Sequence, residues 1–379
     1  MAGIYIHIPF CKQACHYCNF HFSTSLRYKN ELLAALLKET ELQTGYLGNE
    51  AVETIYFGGG TPSLLTIGDL KLQIEKLEQV FQVSGTAEIT LESNPDDITE
   101  EKLAGWKEIG INRLSIGVQS FFEEDLQWMN RAHNAKQAID NLQLAIKQFD
   151  NITIDLIYGH PLLTDEKWEQ NVEKVISLNI PHISCYALTV EPKTPLHKMI
   201  LEKKKEGVQQ EKQAEQFLLL MQWLEDAGYE HYEISNFAKP GFRSRHNSSY
   251  WQGKKYLGLG PSAHSFDGES RQWNISNNTI YIESLAKDKI LFDKEMLTAA
   301  QQLNEYIMTS LRTVEGLDLK RVQSSEFGVQ SSDPIASGFG VRSQKFIDEG
   351  KMIIKENKLI LTKEGKLFAD GIAAELFVS

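Results

Sequence analysis

The sequence predicts an α/β protein: a partial (β/α)6 barrel followed by a smaller C-terminal α+β module. Three observations predict it. Six short runs rich in β-branched and aromatic residues recur through the first half of the chain. Segments with helical apolar spacing separate them. Near residue 295 the pattern changes to helices followed by a two-stranded hairpin.

The six strand candidates are residues 3–8, 52–57, 87–92, 113–119, 152–158 and 182–188. Between them Leu70, Ile74, Leu77 and Phe81 recur at helical spacing, as do Leu103, Trp106 and Ile109, and Leu142, Ile146 and Phe149. Repeated strand and helix units imply a parallel sheet with helices outside. Six units suit an open barrel better than a closed eightfold one. Residues from about 190 to 290 read as less regular: a charged segment 202–215, an apolar helix through Phe217, Met221 and Leu224, and a strand-like stretch 229–234. Beyond 295, Leu303, Ile307 and Leu311 mark a helix. Met352-Ile353-Ile354, a polar turn and Leu359-Ile360-Leu361 then read as a hairpin before a last helix, a winged-helix-like order. With this acidic composition a lid or scaffold role is expected of that module rather than DNA binding. The expected division is 1–235 for the barrel core, 236–290 for a connecting segment and 291–379 for the C-terminal domain.

Hydrophobic residues make up 42% of the 379 and charged residues 24%, the balance of an ordinary globular protein. The formal net charge of -12 argues against a broad nucleic-acid surface. Lys203-Lys204-Lys205 and Lys254-Lys255 read as solvated positions. No apolar run reaches the length of a membrane span, and the N-terminus lacks a charged region and cleavage site. A cytoplasmic location is expected, which leaves room for peripheral contact with a membrane.

Three of the four cysteines, Cys11, Cys15 and Cys18, fall within eight residues, just after the first strand. In a reducing compartment such a cluster points to metal rather than disulfides. Three thiolates on a short loop can ligate three irons of a [4Fe–4S] cubane and leave the fourth open. By counting alone, zinc with His16 or His21 as a fourth ligand also remains open. Cys185, inside a predicted strand, reads as a small buried hydrophobe.

Chemistry in (β/α) barrels sits at the C-terminal strand ends. Here those ends carry the cysteine loop, Gly58-Gly59-Gly60-Thr61-Pro62, Glu92-Ser93-Asn94-Pro95, Gln119-Ser120 and Gly159-His160-Pro161, with Asp155 inside the fifth strand. Polar and glycine residues thus gather on one rim. Each, taken alone, could simply cap a helix or make a turn.

The C-x3-C-x2-C spacing after a first strand resembles the signature of the radical S-adenosylmethionine (SAM) superfamily. Tyr5-Ile-His7-Ile-Pro9-Phe10-Cys11 is similar to the oxygen-independent coproporphyrinogen III oxidase-like family. So are the Gly58–Pro62 string, Arg113-Leu-Ser-Ile-Gly-Val-Gln119-Ser-Phe121, Asn130-Arg131-Ala-His133, Asp155-Leu-Ile-Tyr-Gly159 and Gly258-Leu-Gly-Pro-Ser-Ala-His264. Together they span most of residues 4–265. The resemblance implies a SAM-ligated [4Fe–4S] cluster on Cys11, Cys15 and Cys18. It implies that Gly59, Gly60 and Thr61 receive the methionine amino group, that Glu92 contacts SAM, that Arg131 pairs with its carboxylate, and that Gln119 and Asp155 take ribose hydroxyls. Tyr5 and Tyr17 flank cluster and cofactor, and Ala187 and His264 fall near the adenine. For His7 a direct role and a hydrogen-bonded barrel histidine stay equally open.

Two departures point to the heme chaperone branch of that family. Where the oxidase has a fourth cysteine, this chain has Phe20, and only ten residues precede Cys11, so the oxidase's N-terminal extension is expected to be absent. A marker of that branch, H-N-x-x-Y-W, stands here as His246, Asn247, Tyr250 and Trp251. Histidine is a common axial ligand of heme iron and aromatic rings offer flat faces to a porphyrin. The resemblance therefore implies heme as a further ligand, acceptor hemoproteins as partners and an electron donor for the cluster. The oxidase reaction, SAM-dependent oxidative decarboxylation of coproporphyrinogen III, is the alternative. A radical enzyme acting on RNA is disfavoured by the charge.

Overall fold

A computed structural model describes residues 2–323 and 334–378. Six parallel strands, β1 (Ala2–Ile8), β2 (Val52–Gly59), β3 (Val83–Ser93), β4 (Arg113–Gln119), β5 (Ile152–Tyr158) and β6 (His182–Ala187), lie in sequence order. Helices α1 (Lys29–Leu42), α2 (Ile67–Val80), α3 (Glu100–Glu108), α4 (Glu123–Met129), α5 (Ala135–Ile146) and α6 (Asp165–Ser177) connect them. The helix spacing read from the sequence is the buried spacing: Leu70, Ile74 and Leu77 of α2 are buried, and Thr66 with Asp69 forms a capping box at its start.

The barrel stays open because both of its edge strands find other partners. Beyond β6 lie β7 (Glu230–Glu233) and β8 (Asn236–Ala238). Beyond β1 lie β9 (Tyr256–Leu259), β10 (His264–Phe266), β11 (Ser270–Asn274) and β12 (Phe292–Met296). The result is one twelve-stranded sheet. Residues 236–290, expected as a connector, therefore carry four strands of this sheet. Their short length and polar content hid them from a periodicity search.

The six central strands alternate strictly. Ile4, Ile6 and Ile8, Ile55 and Phe57, Leu114 and Ile116, Ile154 and Leu156, and Ile183 with Cys185 pack under the helices in the main core. The intervening residues face the open interior and are polar: Tyr5 and His7, Thr54 and Tyr56, Glu88 and Glu92, Arg113 and Ser115, Asp155, His182 and Ser184. The period of two assigns each side chain to one face. An interior of this kind is built to hold something polar rather than to be filled.

After α7 (Pro195–Leu201) and α8 (Gln210–Asp226), α9 (Arg245–Trp251) closes the N-terminal end of the interior. The backbone N–H groups of Arg245 and His246 donate to one Glu88 oxygen at 3.0 and 3.1 Å. Helix α10 (Asn278–Leu285) packs against α1. The C-terminal module has its own core around Leu303, Ile307 and Leu311 of α11 (Ala299–Leu311), with Leu317, Phe346, Met352, Leu359 and Ile372. Its hairpin pairs Met352 with Leu361 and Lys355 with Lys358, and Leu317–Asp318 adds a third strand. The module docks on the sheet: Ile234 N–H donates to Arg312 O at 3.1 Å and Arg271 forks onto Glu305 at 2.6 and 2.8 Å.

Candidate functional site

The cysteine loop leaves β1 through buried Phe10 and is tied shut behind itself. Cys11 N–H donates to Ser23 O at 3.0 Å, and Ser23 N–H to Pro9 O at 2.6 Å. Its outer edge is gripped by the turn after α4. Asn130 takes a left-handed conformation, φ +59°, that turns its amide to Ala14 O at 2.7 Å; Gln13 answers onto Asn130 Oδ1 at 2.9 Å. Lys205 stacks over the Trp128 ring at 4.3 Å, bonds the Trp128 carbonyl and reaches His16 Nδ1 at 3.0 Å. The expectation that the whole Lys203–Lys205 run is merely solvated is therefore corrected for Lys205. Its role arises from a contact with residues far away in sequence.

All three thiols are half-buried. Thr61 Oγ1 donates to Cys11 Sγ at 3.6 Å and Arg131 to Cys15 Sγ at 3.4 Å. Burial pushes the Cys11 thiol up to about 11 and raises Cys18 as well, against the pull of their hydrogen bonds. Thiols held neutral in this way become thiolates on binding a metal. The donor set is all sulfur, suited to an iron–sulfur cluster. Among the described residues no three His, Cys, Asp or Glu side chains converge as around a single ion. His16 and His21, the counted fourth ligands for zinc, each turn a ring nitrogen to a protein partner: Trp128 O at 3.0 Å and Asn278 Oδ1 at 2.7 Å.

The glycine string at the end of β2 is forced by close approach. Gly59 has φ +108°, and a Cβ there would sit 2.5 Å from the His7 ring; a Cβ on Gly60 would meet Phe10 O at 2.7 Å. This brings Thr61, 4% exposed, against the cysteine loop. His7 itself uses both ring nitrogens, on Tyr5 OH at 3.1 Å and His21 O at 2.9 Å, and burial lowers it to about 4. The hydrogen-bonded reading is the one the geometry gives it.

Two carboxylates face the interior, and among the described residues no cation is bonded to either. Glu92 accepts from Tyr56 OH at 2.9 Å and Gly59 N–H at 3.1 Å. Burial, with Asp155 nearby, raises it to about 7; burial likewise raises Asp155 to about 6. Gln119 stands at the end of β4 with φ +68°, a conformation costly for a residue with a side chain and common at ligand sites. Arg131 points four donors at Cys15 Sγ, Tyr17 OH, Asn94 Oδ1 and Gly117 O, while its buried Nε, like Thr90 Oγ1, has no partner among the described residues. Unspent buried donors and uncompensated carboxylates beside three thiols suit a ligand that is itself cationic and carries hydroxyl and carboxylate groups.

The structure thus gathers Cys11, Cys15, Cys18, Tyr17, Thr61 and Arg131 at one point, with Gly59, Glu92 and Tyr5 adjoining. Gln119 and Asp155 line the same interior, and Ala187 lies exposed at the end of β6. It does not bring the histidine motif to them. His246 is 1% exposed, with Nδ1 bonded to Thr54 Oγ1 and Nε2 to Tyr250 OH, both at 2.8 Å. Its ring stacks on Tyr56 at 5.0 Å, and burial lowers it to about 3. The expectation that His246 offers a nitrogen to heme iron is therefore corrected: both nitrogens are spent in plugging the barrel floor. Asn247 takes part in the α9 start through its backbone N–H to Ser244 Oγ at 3.2 Å. Tyr250 and Trp251 do reach a cavity of about 1440 Å³ between the sheet and the C-terminal module, which Asn19, Phe20 and His264 also line.

Sequence reasoning missed Tyr56, Asn94 and Lys205 as site residues. Tyr56 was recoverable, because strict alternation through Thr54, Tyr56 and Gly58 places it on the polar face. Asn94 lay inside a string already singled out. Lys205 had no local signal.

A radical SAM superfamily model matches residues 5–175, and a HemN C-terminal domain model matches residues 297–368. The heme chaperone HemW of Bacillus subtilis (strain 168) is 34% identical over 376 residues, 98% of each chain. The chain belongs to the HemW family of radical SAM proteins. HemW of Mycobacterium tuberculosis (strain ATCC 25618 / H37Rv) is 31% identical across 99% of this chain and 94% of its own. The solved structure of coproporphyrinogen III oxidase (HemN) from Escherichia coli shares the fold, with a TM-score of 0.85 at 22% identity over 100% of this chain and 90% of that one. Radical SAM proteins carry a [4Fe–4S] cluster and SAM, which when bound supply one-electron cleavage chemistry. In this HemW-family chain the residues' share is to ligate, orient and shelter. Among the described residues no helix is long and apolar enough to cross a membrane.

Proposed function

We propose that this chain holds a [4Fe–4S] cluster on Cys11, Cys15 and Cys18, binds SAM at the open iron, and carries heme that it delivers to acceptor hemoproteins. In this reading Gly59, Gly60, Thr61, Glu92, Gln119, Arg131 and Asp155 receive SAM, with Tyr5, Tyr17 and Ala187 at its margins. Residues up to Met296 form the cofactor body and the C-terminal module is its cover. A one-electron donor reduces the cluster. The observation that carries the heme reading is the 1440 Å³ cavity, large and aromatic, that borders the cysteine loop at Asn19 and Phe20. A tetrapyrrole is flat and apolar with acidic edges, and Tyr250, Trp251 and Phe266 line the wall with arginines beside them. The relatives named heme chaperones support the same reading.

The test is anaerobic. Reconstituted protein should carry about four irons per chain, and Cys15→Ser should lose most of them. Hemin should then bind with a Soret change and pass to an apo-hemoprotein. Formation of protoporphyrinogen from coproporphyrinogen III in place of heme transfer would overturn the chaperone reading.

A further inference from the structure

We infer that heme sits in the cavity between the sheet and the C-terminal module, with His264 on β10, rather than His246, giving the axial nitrogen to its iron. The inference rests on the heme reading above, adds the ligand and the seat, and reassigns His264, which the family resemblance places near the adenine of SAM, to the heme side of the cavity.

Three histidines line this cavity: His7, His21 and His264. An axial ligand needs a neutral imidazole with a free, accessible nitrogen. His7 is 4% exposed and has both nitrogens bonded. His21 spends Nε2 on Asn278 and keeps only Nδ1, with its ring held against that of His7 at 6.0 Å, whereas His264 keeps both nitrogens. His264 is exposed, and among the described residues neither of its ring nitrogens has a hydrogen-bond partner. Its ring stacks on Trp273 at 6.1 Å, which steadies the imidazole without spending a nitrogen. Burial and the Arg271 charge lower its proton affinity, which favours the neutral form.

The strand order explains why this histidine comes beside the cysteine loop. β9 runs parallel to β1, so its end lies at the same rim from which the loop departs. Gly260, φ +103°, takes the turn there, where a Cβ would lie 2.6 Å from His7 O. The chain then reverses and His264 opens β10 on that rim. Phe20, 67% exposed, reaches the same cavity from the cysteine loop and offers an apolar face.

The cavity's charge suits the propionates of heme. Arg243, Arg271, Arg321 and Lys358 line it against Glu305, Glu315 and Asp318. Of these, Arg243 is already paired with Glu230 and Glu315 and Arg271 with Glu305, so a propionate would share these arginines with the carboxylates. Arginine forks match carboxylates bidentately, as Arg271 already does with Glu305.

The test titrates hemin into the full, anaerobically reconstituted chain and reads absorption and electron paramagnetic resonance of the ferric heme. His264→Ala should bind hemin at least about tenfold more weakly and lose the histidine-ligated signature, with added imidazole restoring it. His264→Tyr should shift the spectrum to that of a phenolate-ligated iron. His246→Gln should keep the parent's ligation signature. Unchanged affinity and spectra in both His264 variants would overturn the assignment while leaving heme carriage standing. Loss of the signature in His246→Gln with parental iron content would overturn it as well. A parent chain that takes up no hemin at all would remove the heme reading and this inference together.

Discussion

Replacing Glu92 by glutamine should stabilise the SAM-free protein at alkaline pH while weakening its hold on SAM. Glu92 lies in the barrel interior, where burial and the neighbouring Asp155 carboxylate raise it to about 7 from an ordinary 4.5. Its folded-state value is the higher one, so the folded chain binds the proton more tightly than the unfolded chain. The associated stability is complete below about pH 4.5 and is lost as pH rises through 7. One pKa unit corresponds to about 1.4 kcal/mol, so the ionised side chain costs up to about 3 kcal/mol at pH 8.5, trimmed to about 2 by water in the open interior. Glutamine never ionises. It can still accept from Gly59 N–H and donate to Tyr56 OH, at a loss of about 1 kcal/mol for the weaker neutral bonds. Relative to the parent, Glu92→Gln should therefore be slightly less stable at pH 5 and more stable at pH 8.5. Thermal unfolding of cluster-loaded protein at the two pH values measures the change, a swing of roughly 2–3 °C in relative Tm for a chain of 379 residues. Calorimetry with SAM should show weaker binding in the same sample. A variant equally destabilised at both pH values would refute the claim that an uncompensated charge is stored here for a cationic ligand.

Gly60→Ala would drive a Cβ to within 2.7 Å of Phe10 O, a backbone atom that cannot step aside; iron incorporation should fall together with a loss of roughly 2–4 kcal/mol in stability, read by iron assay and Tm. Lys205→Ala removes the ammonium that ties Trp128 and His16 together; iron retention under chelator challenge should shorten severalfold while SAM affinity of the intact fraction stays at the parent value.

The first strand, the cysteine spacing and the glycine string were legible because each is a local pattern whose chemistry needs adjacent residues. The six central strands and their order followed from alternating units, since a parallel sheet leaves few ways to connect them. The alternation itself also held the polar interior: in β1, Tyr5 and His7 interleave with Ile4, Ile6 and Ile8, so the row of inward polar groups could be read before any coordinates. What resisted reading, beyond the strand-like 229–234 that became β7, was the part of the sheet built from short strands between residues 236 and 296. Their residues carry little periodicity, and their place beside β1 and β6 is set by which edges remain unpaired.

The cysteine motif, the rim of polar strand ends and the family were determined by sequence alone, because they depend on spacing along the chain. Only the tertiary structure decided what each histidine does. His246 sits in a motif suggestive of ligation, yet Thr54 and Tyr250 consume both its nitrogens; His264 keeps both of its own without a partner among the described residues. Hydrogen-bond satisfaction depends on partners far away in the chain, 192 residues between Thr54 and His246 and 257 between His21 and Asn278. That is a property of packing, which residue type and spacing do not encode.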